Sequence, residues 1–136
     1  MFTISVSAAK SYAPAEFDSI RQVSRLVESA KSEIVIIDPY SDATTLDVLA
    51  GKRAGVTVRI VCKDRGKPTT TEIAKFNRQY KGLTVSYSDD FHDRFVIIDN
   101  AELHNFGSSV NCLGRRLTTY TTRDAKEIGK IRSQLP

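Results

Sequence analysis

Residues 89–111 place a histidine, an arginine and an aspartate around a run of apolar residues. His92 and Arg94 stand two residues apart at the start of this run, and Asp99 ends it. A histidine can act as a nucleophile or as an acid and base near neutral pH, and an arginine presents a fixed positive fork that matches a phosphate. These residue types at this spacing indicate chemistry at a phosphate group.

Further polar and basic residues follow in the same part of the chain. Residues 107–111 read GSSVN and offer hydroxyls, a side-chain amide and backbone N–H groups to phosphate oxygens. Arg115 and Arg116 come shortly after and are our candidates for contacts with flanking phosphates. Tyr40 follows a proline at the predicted end of an earlier strand, where it either stacks on a base or packs within its loop.

The elements that must position these residues alternate between strands and helices. Apolar alternation, helical spacing and breaks at glycine or proline predict strands over 2–6, 33–38, 56–62, 83–88, 94–99, 102–106 and 117–121. The same signals predict helices over 15–31, from an N-cap at Asp42, over 69–81, and from Thr122 or Asp124. This order predicts an α/β layered domain with a mixed sheet, parallel in its first half and with a hairpin turned at Asn100 and Ala101 in its second.

Alternation within the strand predicted over residues 94–99 determines which side chains face the same way. His92 and Arg94 are predicted to share a face, whereas Asp99 is predicted to face away and to position neighbouring groups or pair with a cation. Ligands of such sheets bind where strand ends and loops converge, so we expect the site at these ends.

The composition limits the class of protein. The chain has 136 residues, 40% of them hydrophobic and 26% charged, which predicts one globular domain over residues 1–136. Its formal net charge of +4 favours polyanionic partners.

No segment resembles a membrane span or a signal peptide, so we expect a cytoplasmic protein. The spacing of Cys62 and Cys112 predicts neither a disulfide framework nor a zinc site, and we expect two reduced thiols.

The residues around His92 resemble a known catalytic motif. The pattern H-x-R-x-x-x-x-D, followed by GSSVN, resembles the HKD motif of the phospholipase D superfamily, H-x-K-x-x-x-x-D and then G-S-x-N. The sequences DPYSD at 38–42 and FHDRFVIID at 91–99 are also similar to a subset of bacterial phospholipase D-like domains that carry HDRF. The resemblance implies a layered α/β/α phospholipase D-like domain with a mixed β-sheet.

The resemblance also implies a reaction. In that superfamily the motif histidine attacks a phosphodiester to form a phosphohistidine, and a histidine from a second motif protonates the leaving oxygen. His104 begins no second motif, so the resemblance implies a homodimer in which His92 is nucleophile in one subunit and general acid in the other.

Roles for the other motif residues follow from the same resemblance. Arg94 takes the place of the phosphate-binding lysine, and Asp99 is the structural carboxylate. The pocket would be lined by Ser108, Ser109 and Asn111. Neither a metal nor another cofactor is implied, because cationic side chains and backbone donors can stabilise the phosphate oxygens.

Departures from the family pattern keep a second hypothesis open. Arginine is bulkier than lysine, so Arg94 can preserve phosphate binding while misplacing the attack geometry. Family members carry a carboxylate after G-S-x-N that orients the histidine, but residues 103–123 contain no acidic residue. Asp93 or Asp124 would have to substitute, and Asn111 lies one residue further from Gly107 than in the motif.

Two functions therefore remain. The leading hypothesis is a metal-independent nuclease that acts on DNA or RNA. The alternative is a catalytically degenerate module that binds phosphate groups of nucleic acid or membrane phospholipid, as similar HDR domains of certain MIT-domain proteins bind phospholipids. In either case the chain is compatible with being one domain of a larger protein, and we expect His104 to be a structural histidine.

Overall fold

Seven strands of the chain pair into one mixed β-sheet. A computed structural model describes residues 10–12, 16–107 and 120–136. Within these ranges the strands are β1 (Lys10–Tyr12), β2 (Glu33–Ile37), β3 (Thr57–Cys62), β4 (Leu83–Tyr87), β5 (Arg94–Ile98), β6 (Glu102–Phe106) and β7 (Tyr120–Arg123). The helices are α1 (Glu16–Ser29), α2 (Ala43–Leu49), α3 (Thr70–Gln79) and α4 (Glu127–Ser133). The predicted α/β class is confirmed.

The sheet changes strand direction at its centre. The strand order is β1-β7-β6-β5-β2-β3-β4. Strands β2, β3 and β4 are parallel, whereas β5 is antiparallel to β2 and forms a hairpin with β6. The predicted parallel half and hairpin half are therefore confirmed, and β2 lies at the boundary between them.

Apolar layers cover both faces of the sheet. On one face, Ile34, Ile36 and Val96 pack against helices α1, α2 and α3. On the other face, Val35 and Ile97 pack against Ile128 of α4, and further apolar residues extend this layer. The continuous apolar run of β2 is buried on both faces, which gives the α/β/α layering predicted from the sequence.

Local signals in the sequence explain where several elements begin. Asp42 is the N-cap of α2, as predicted, and its carboxylate accepts a hydrogen bond from Thr44 N–H at 2.9 Å. Thr69 caps α3 in a reciprocal arrangement with Glu72. Gly55 has a φ of +86°, which a residue with a Cβ rarely adopts, and lets the chain turn into β3.

Some predicted boundaries were wrong. The β5–β6 turn has Asp99 and Asn100 at its centre, both with φ of +54°, and not Asn100 and Ala101. The cause is the hydrogen bond from Ala101 N–H to Ile98 C=O at 3.0 Å, which closes the turn one residue earlier.

The C-terminal elements also differ from the prediction. Strand β7 continues to Arg123, and α4 begins at Glu127 and not at Thr122 or Asp124. The Asp124 carboxylate accepts a hydrogen bond from Lys126 N–H at 2.9 Å and holds a turn between them. Strand β1 was not predicted, and the strand predicted over residues 2–6 lies outside the described residues. No helix among the described residues is long and apolar enough to cross a membrane.

Candidate functional site

Four strand ends meet at one edge of the sheet. Because β2, β3 and β4 are parallel and β5 is antiparallel to β2, the carboxyl ends of the first three share an edge with the amino end of β5. Loops 38–42, 63–69 and 88–93 leave or enter strands at this edge. Ligands of α/β sheets bind outside such strand ends, where the strand order reverses.

A cavity of about 170 Å³ opens at this edge. We call it the His92 cavity; it is lined by Pro39, Tyr40, Lys63, Asp89, Phe91, His92 and Arg94. His92 is exposed and lies in the loop before β5, whereas Arg94 is the half-buried first residue of β5. Both side chains border the same space, as expected from their spacing along the strand.

The Arg94 guanidinium is held against an aromatic ring. Its central carbon lies 5.6 Å from the centroid of the Tyr40 ring, within the range of a cation–π contact. The Nε–H of Arg94 is buried and has no hydrogen-bond partner among the described residues. Leaving a buried donor unpaired is unfavourable, so the Arg94 guanidinium favours an acceptor that can reach this N–H group.

Tyr40 is carried by a hydrogen-bonded turn after β2. The fully buried Asp38 accepts a hydrogen bond from Tyr40 N–H at 3.0 Å, and its C=O accepts one from the Ser41 hydroxyl at 3.0 Å. Tyr40 itself is 55% exposed, and among the described residues it is the large apolar residue that is exposed. The turn therefore presents an aromatic ring beside Arg94.

Two charged residues of the His92 cavity were missed by sequence reasoning. Lys63 follows β3 directly, and Asp89 lies in the loop after β4; both are exposed. The signal that identifies them is their position at the carboxyl ends of predicted parallel strands. Lys63 adds a second cation to the cavity, and Asp89 adds a carboxylate.

Asp99 lies at the other end of β5 from the His92 cavity. Its carboxylate accepts hydrogen bonds from the backbone N–H groups of Lys31, Ser32 and Glu33 at 2.7–3.1 Å, and from the Ser32 hydroxyl at 3.0 Å. Desolvation raises the pKa of Asp99, but the hydrogen bonds from Ser32, Lys31 and Glu33 outweigh it and lower the pKa to about 2. Asp99 thus ties the β5–β6 turn to the segment before β2.

Solved structures with the same architecture include Nuc from Salmonella typhimurium, a phospholipase D family member. It superposes with a TM-score of 0.66 at 19% sequence identity, over 92% of this chain and 89% of its own. The chain has the phospholipase D superfamily fold.

Two other structures show the same fold. NucT from Helicobacter pylori gives a TM-score of 0.67 at 14% identity, over 92% of this chain and 91% of its own. TrmBL2, an archaeal chromatin protein that binds DNA, gives 0.59 at 16% identity, over 97% of this chain and 52% of its own. No protein-family model and no curated protein sequence matches the chain.

Neither carboxylate considered as an orienting group for His92 is among the described residues that line the His92 cavity. Asp93 is exposed and borders a different cavity of about 360 Å³, which His92 also lines. Asp124 holds the turn before α4. Among the described residues, the carboxylate that lines the His92 cavity is Asp89.

The second histidine is a buried residue of β6. His104 is 5% exposed, and its Nε2 lies 3.1 Å from a carboxylate oxygen of Glu102. Burial lowers the pKa of His104, and the Glu102 carboxylate opposes this effect in part. A structural role, as expected from the sequence, agrees with this burial.

Five predicted site residues and one cysteine lie outside the described residues. The site residues are Ser108, Ser109, Asn111, Arg115 and Arg116, and the cysteine is Cys112. Of the two cysteines, Cys62 is free and buried, and burial raises the pKa of its thiol to about 11, with Asp38 and Asp64 contributing. In the described ranges no three His, Cys, Asp or Glu side chains are grouped as metal ligands.

Proposed function

We propose that this chain is a phospholipase D-like phosphodiesterase that cleaves nucleic acid through a phosphohistidine at His92, without a metal. The observation that carries the proposal is the His92 cavity, where an imidazole and the cations of Arg94 and Lys63 converge at the strand ends. An imidazole supplies the nucleophile, and the cations stabilise charge on the phosphate oxygens.

The proposed reaction has two steps. A ring nitrogen of His92 attacks phosphorus, the P–O bond to the leaving oxygen breaks, and the imidazolium of His92 of the partner subunit protonates that oxygen. Water then attacks phosphorus and gives a proton to the same partner imidazole, while the P–N bond breaks and His92 is restored. The reaction requires two copies of the cavity, so the proposal includes a homodimer.

Nucleic acid is the proposed substrate for two reasons. The chain carries a formal net charge of +4, which suits a polyanion. The exposed ring of Tyr40 beside Arg94 offers a stacking surface next to a cation, a combination that suits a nucleotide. DNA binding by TrmBL2, a protein of the same fold, agrees with this choice.

The test is cleavage of labelled single- and double-stranded DNA and RNA in excess EDTA. We expect wild-type cleavage to persist in EDTA and His92→Ala to lower the rate more than about a thousandfold, because the nucleophile is removed. Arg78→Ala, which removes an exposed cation on α3, serves as the control and should retain activity. Cleavage that EDTA abolishes, or that survives in His92→Ala, would refute the mechanism.

A second candidate function is a degenerate module that binds phosphate groups of nucleic acid or membrane phospholipid. The packing of Arg94 against Tyr40 supports it, since the cation is fixed for binding whether or not attack occurs. Neither Asp93 nor Asp124 is among the described residues that line the His92 cavity, which also supports it. In that case no substrate is cleaved, and Arg94→Gln weakens salt-sensitive binding more than His92→Ala does.

A further inference from the structure

A larger cavity adjoins the His92 cavity along the same edge of the sheet. We call it the Arg65 cavity; its volume is about 470 Å³. Lys63 and Asp89 line both cavities, so the two share a wall. The volume falls within the range of small-molecule sites, which admits a nucleoside-sized group.

An arginine and a tyrosine form the stacking surface of the Arg65 cavity. The Arg65 guanidinium lies 5.0 Å from the centroid of the Tyr87 ring. Tyr87 is half-buried and packs against the apolar layer beneath α3, which fixes the ring, whereas Arg65 is exposed. Nucleobases stack on aromatic rings and on guanidinium planes, so this pair is a prepared surface for a base.

The two cavities differ in charge. The His92 cavity contains Arg94 and Lys63 against the single carboxylate of Asp89. Among the described side chains that line the Arg65 cavity, those of Lys63 and Arg65 are balanced by those of Asp89 and Asp90. A phosphate favours the first cavity, and an uncharged base favours the second, where a carboxylate can accept a hydrogen bond from an exocyclic amino group.

We propose that the Arg65 cavity is a base-binding subsite for the nucleotide next to the phosphate held at His92 and Arg94. The inference rests on the proposed function and specifies its substrate as single-stranded. A base within a duplex is covered by its neighbours and paired along its edge, so it cannot enter the cavity without leaving the stack.

The test compares single-stranded and duplex DNA of the same sequence by fluorescence anisotropy. The protein carries His92→Ala to prevent cleavage, and Arg65→Gln or Tyr87→Leu is added. We expect each added substitution to weaken single-strand binding at least about fivefold and duplex binding much less. Arg78→Gln removes the same charge from α3 and should lower both affinities equally and slightly.

Two outcomes would overturn the subsite. One is equal affinity of the parent protein for single strand and duplex, and the other is an Arg65→Gln effect no larger than that of Arg78→Gln. Because Tyr87 contacts the core, its variant counts only if its thermal unfolding is cooperative; Arg65 is exposed and avoids this difficulty.

A separate reaction distinguishes failure of the subsite from failure of the proposed function. Bis(p-nitrophenyl) phosphate is a phosphodiester without a base, and its hydrolysis by the wild-type chain tests the chemistry alone. If the wild-type chain hydrolyses this compound but binds single strand and duplex equally, the subsite is overturned and the phosphodiesterase stands. If it does not hydrolyse the compound but prefers the single strand, and Arg65→Gln abolishes that preference, the subsite is supported and the phosphodiesterase is overturned.

Discussion

Arg94 and Asp99 bound the same strand and contribute to the molecule in different ways. Arg94 begins β5 at the edge that carries the His92 cavity, where its buried Nε–H meets no acceptor among the described residues. Asp99 follows the last residue of β5, and its carboxylate is saturated by backbone donors. The Arg94 end of β5 therefore favours the binding of an anion, whereas the Asp99 end already carries a hydrogen-bonded carboxylate.

The lowered pKa of Asp99 makes its contribution to stability dependent on pH. Its folded-state pKa of about 2 lies below the ordinary value of 3.8, so the contribution is complete above the ordinary value and is lost as the pH falls toward 2. Asp99→Asn removes the charge while keeping a residue that tolerates the φ of +54°. We expect it to lower the free energy of unfolding by about 1 kcal/mol at neutral pH, allowing for partial exposure.

Urea denaturation at several pH values checks this expectation. The difference in the free energy of unfolding between wild type and Asp99→Asn should shrink steadily between pH 5 and pH 2. The reason is that Asp99 is progressively protonated and then, like asparagine, carries no charge. Thr71→Ala, at an exposed and uncharged position of α3, should show no such dependence. A difference that stays constant over this range would refute the assigned role of the charge.

The sequence allowed some residues of the site to be predicted and not others. His92 and Arg94 were found because their types and spacing match a motif, and both line one cavity. Lys63 and Asp89 belong to no motif, and only the alignment of parallel strands brings them there. The local sequence determines which side chains share a face of a strand. Which separate loops lie side by side depends on the register of the sheet.

The elements differ in how well their sequences define them. Strand β2 is a continuous apolar run, and its predicted position is confirmed because such a run is buried on both faces of the sheet. Strand β7 has the polar sequence YTTR, whose alternation gives no clear end, and pairing with β1 and β6 sets its limits. Prediction therefore succeeded where burial dominates and failed at the limits of the polar strand β7.

The cap of α3 contributes to the stability of the protein. The Thr69 hydroxyl accepts a hydrogen bond from Glu72 N–H at 3.1 Å, and the Glu72 carboxylate accepts one from Thr69 N–H at 2.8 Å. Thr69→Ala removes the first bond and should destabilise the protein by about 1 kcal/mol. Thr71→Ala, at an exposed position within α3, should be neutral or slightly stabilising by urea denaturation. Equal effects of the two substitutions would refute the role of the cap.

At the scale of the whole molecule, the fold explains why a small chain can hold the proposed site. The parallel half of the sheet supplies loops with Tyr40, Lys63 and Asp89, and the hairpin half supplies His92 and Arg94. Apolar layers on both faces hold these halves in one register. The proposed chemistry needs a proton donor opposite His92, which is why the account includes a second copy of the chain.

Covalent trapping tests whether the proposed phosphohistidine forms at His92. Wild-type protein and His92→Ala would be mixed with an internally radiolabelled single strand in EDTA and quenched rapidly in alkaline denaturant, where a phosphohistidine survives. We expect label on the wild-type chain at early times, at the peptide that contains His92, and no label on His92→Ala. Cleavage of the strand without any labelled wild-type protein, or equal labelling of His92→Ala, would contradict this expectation.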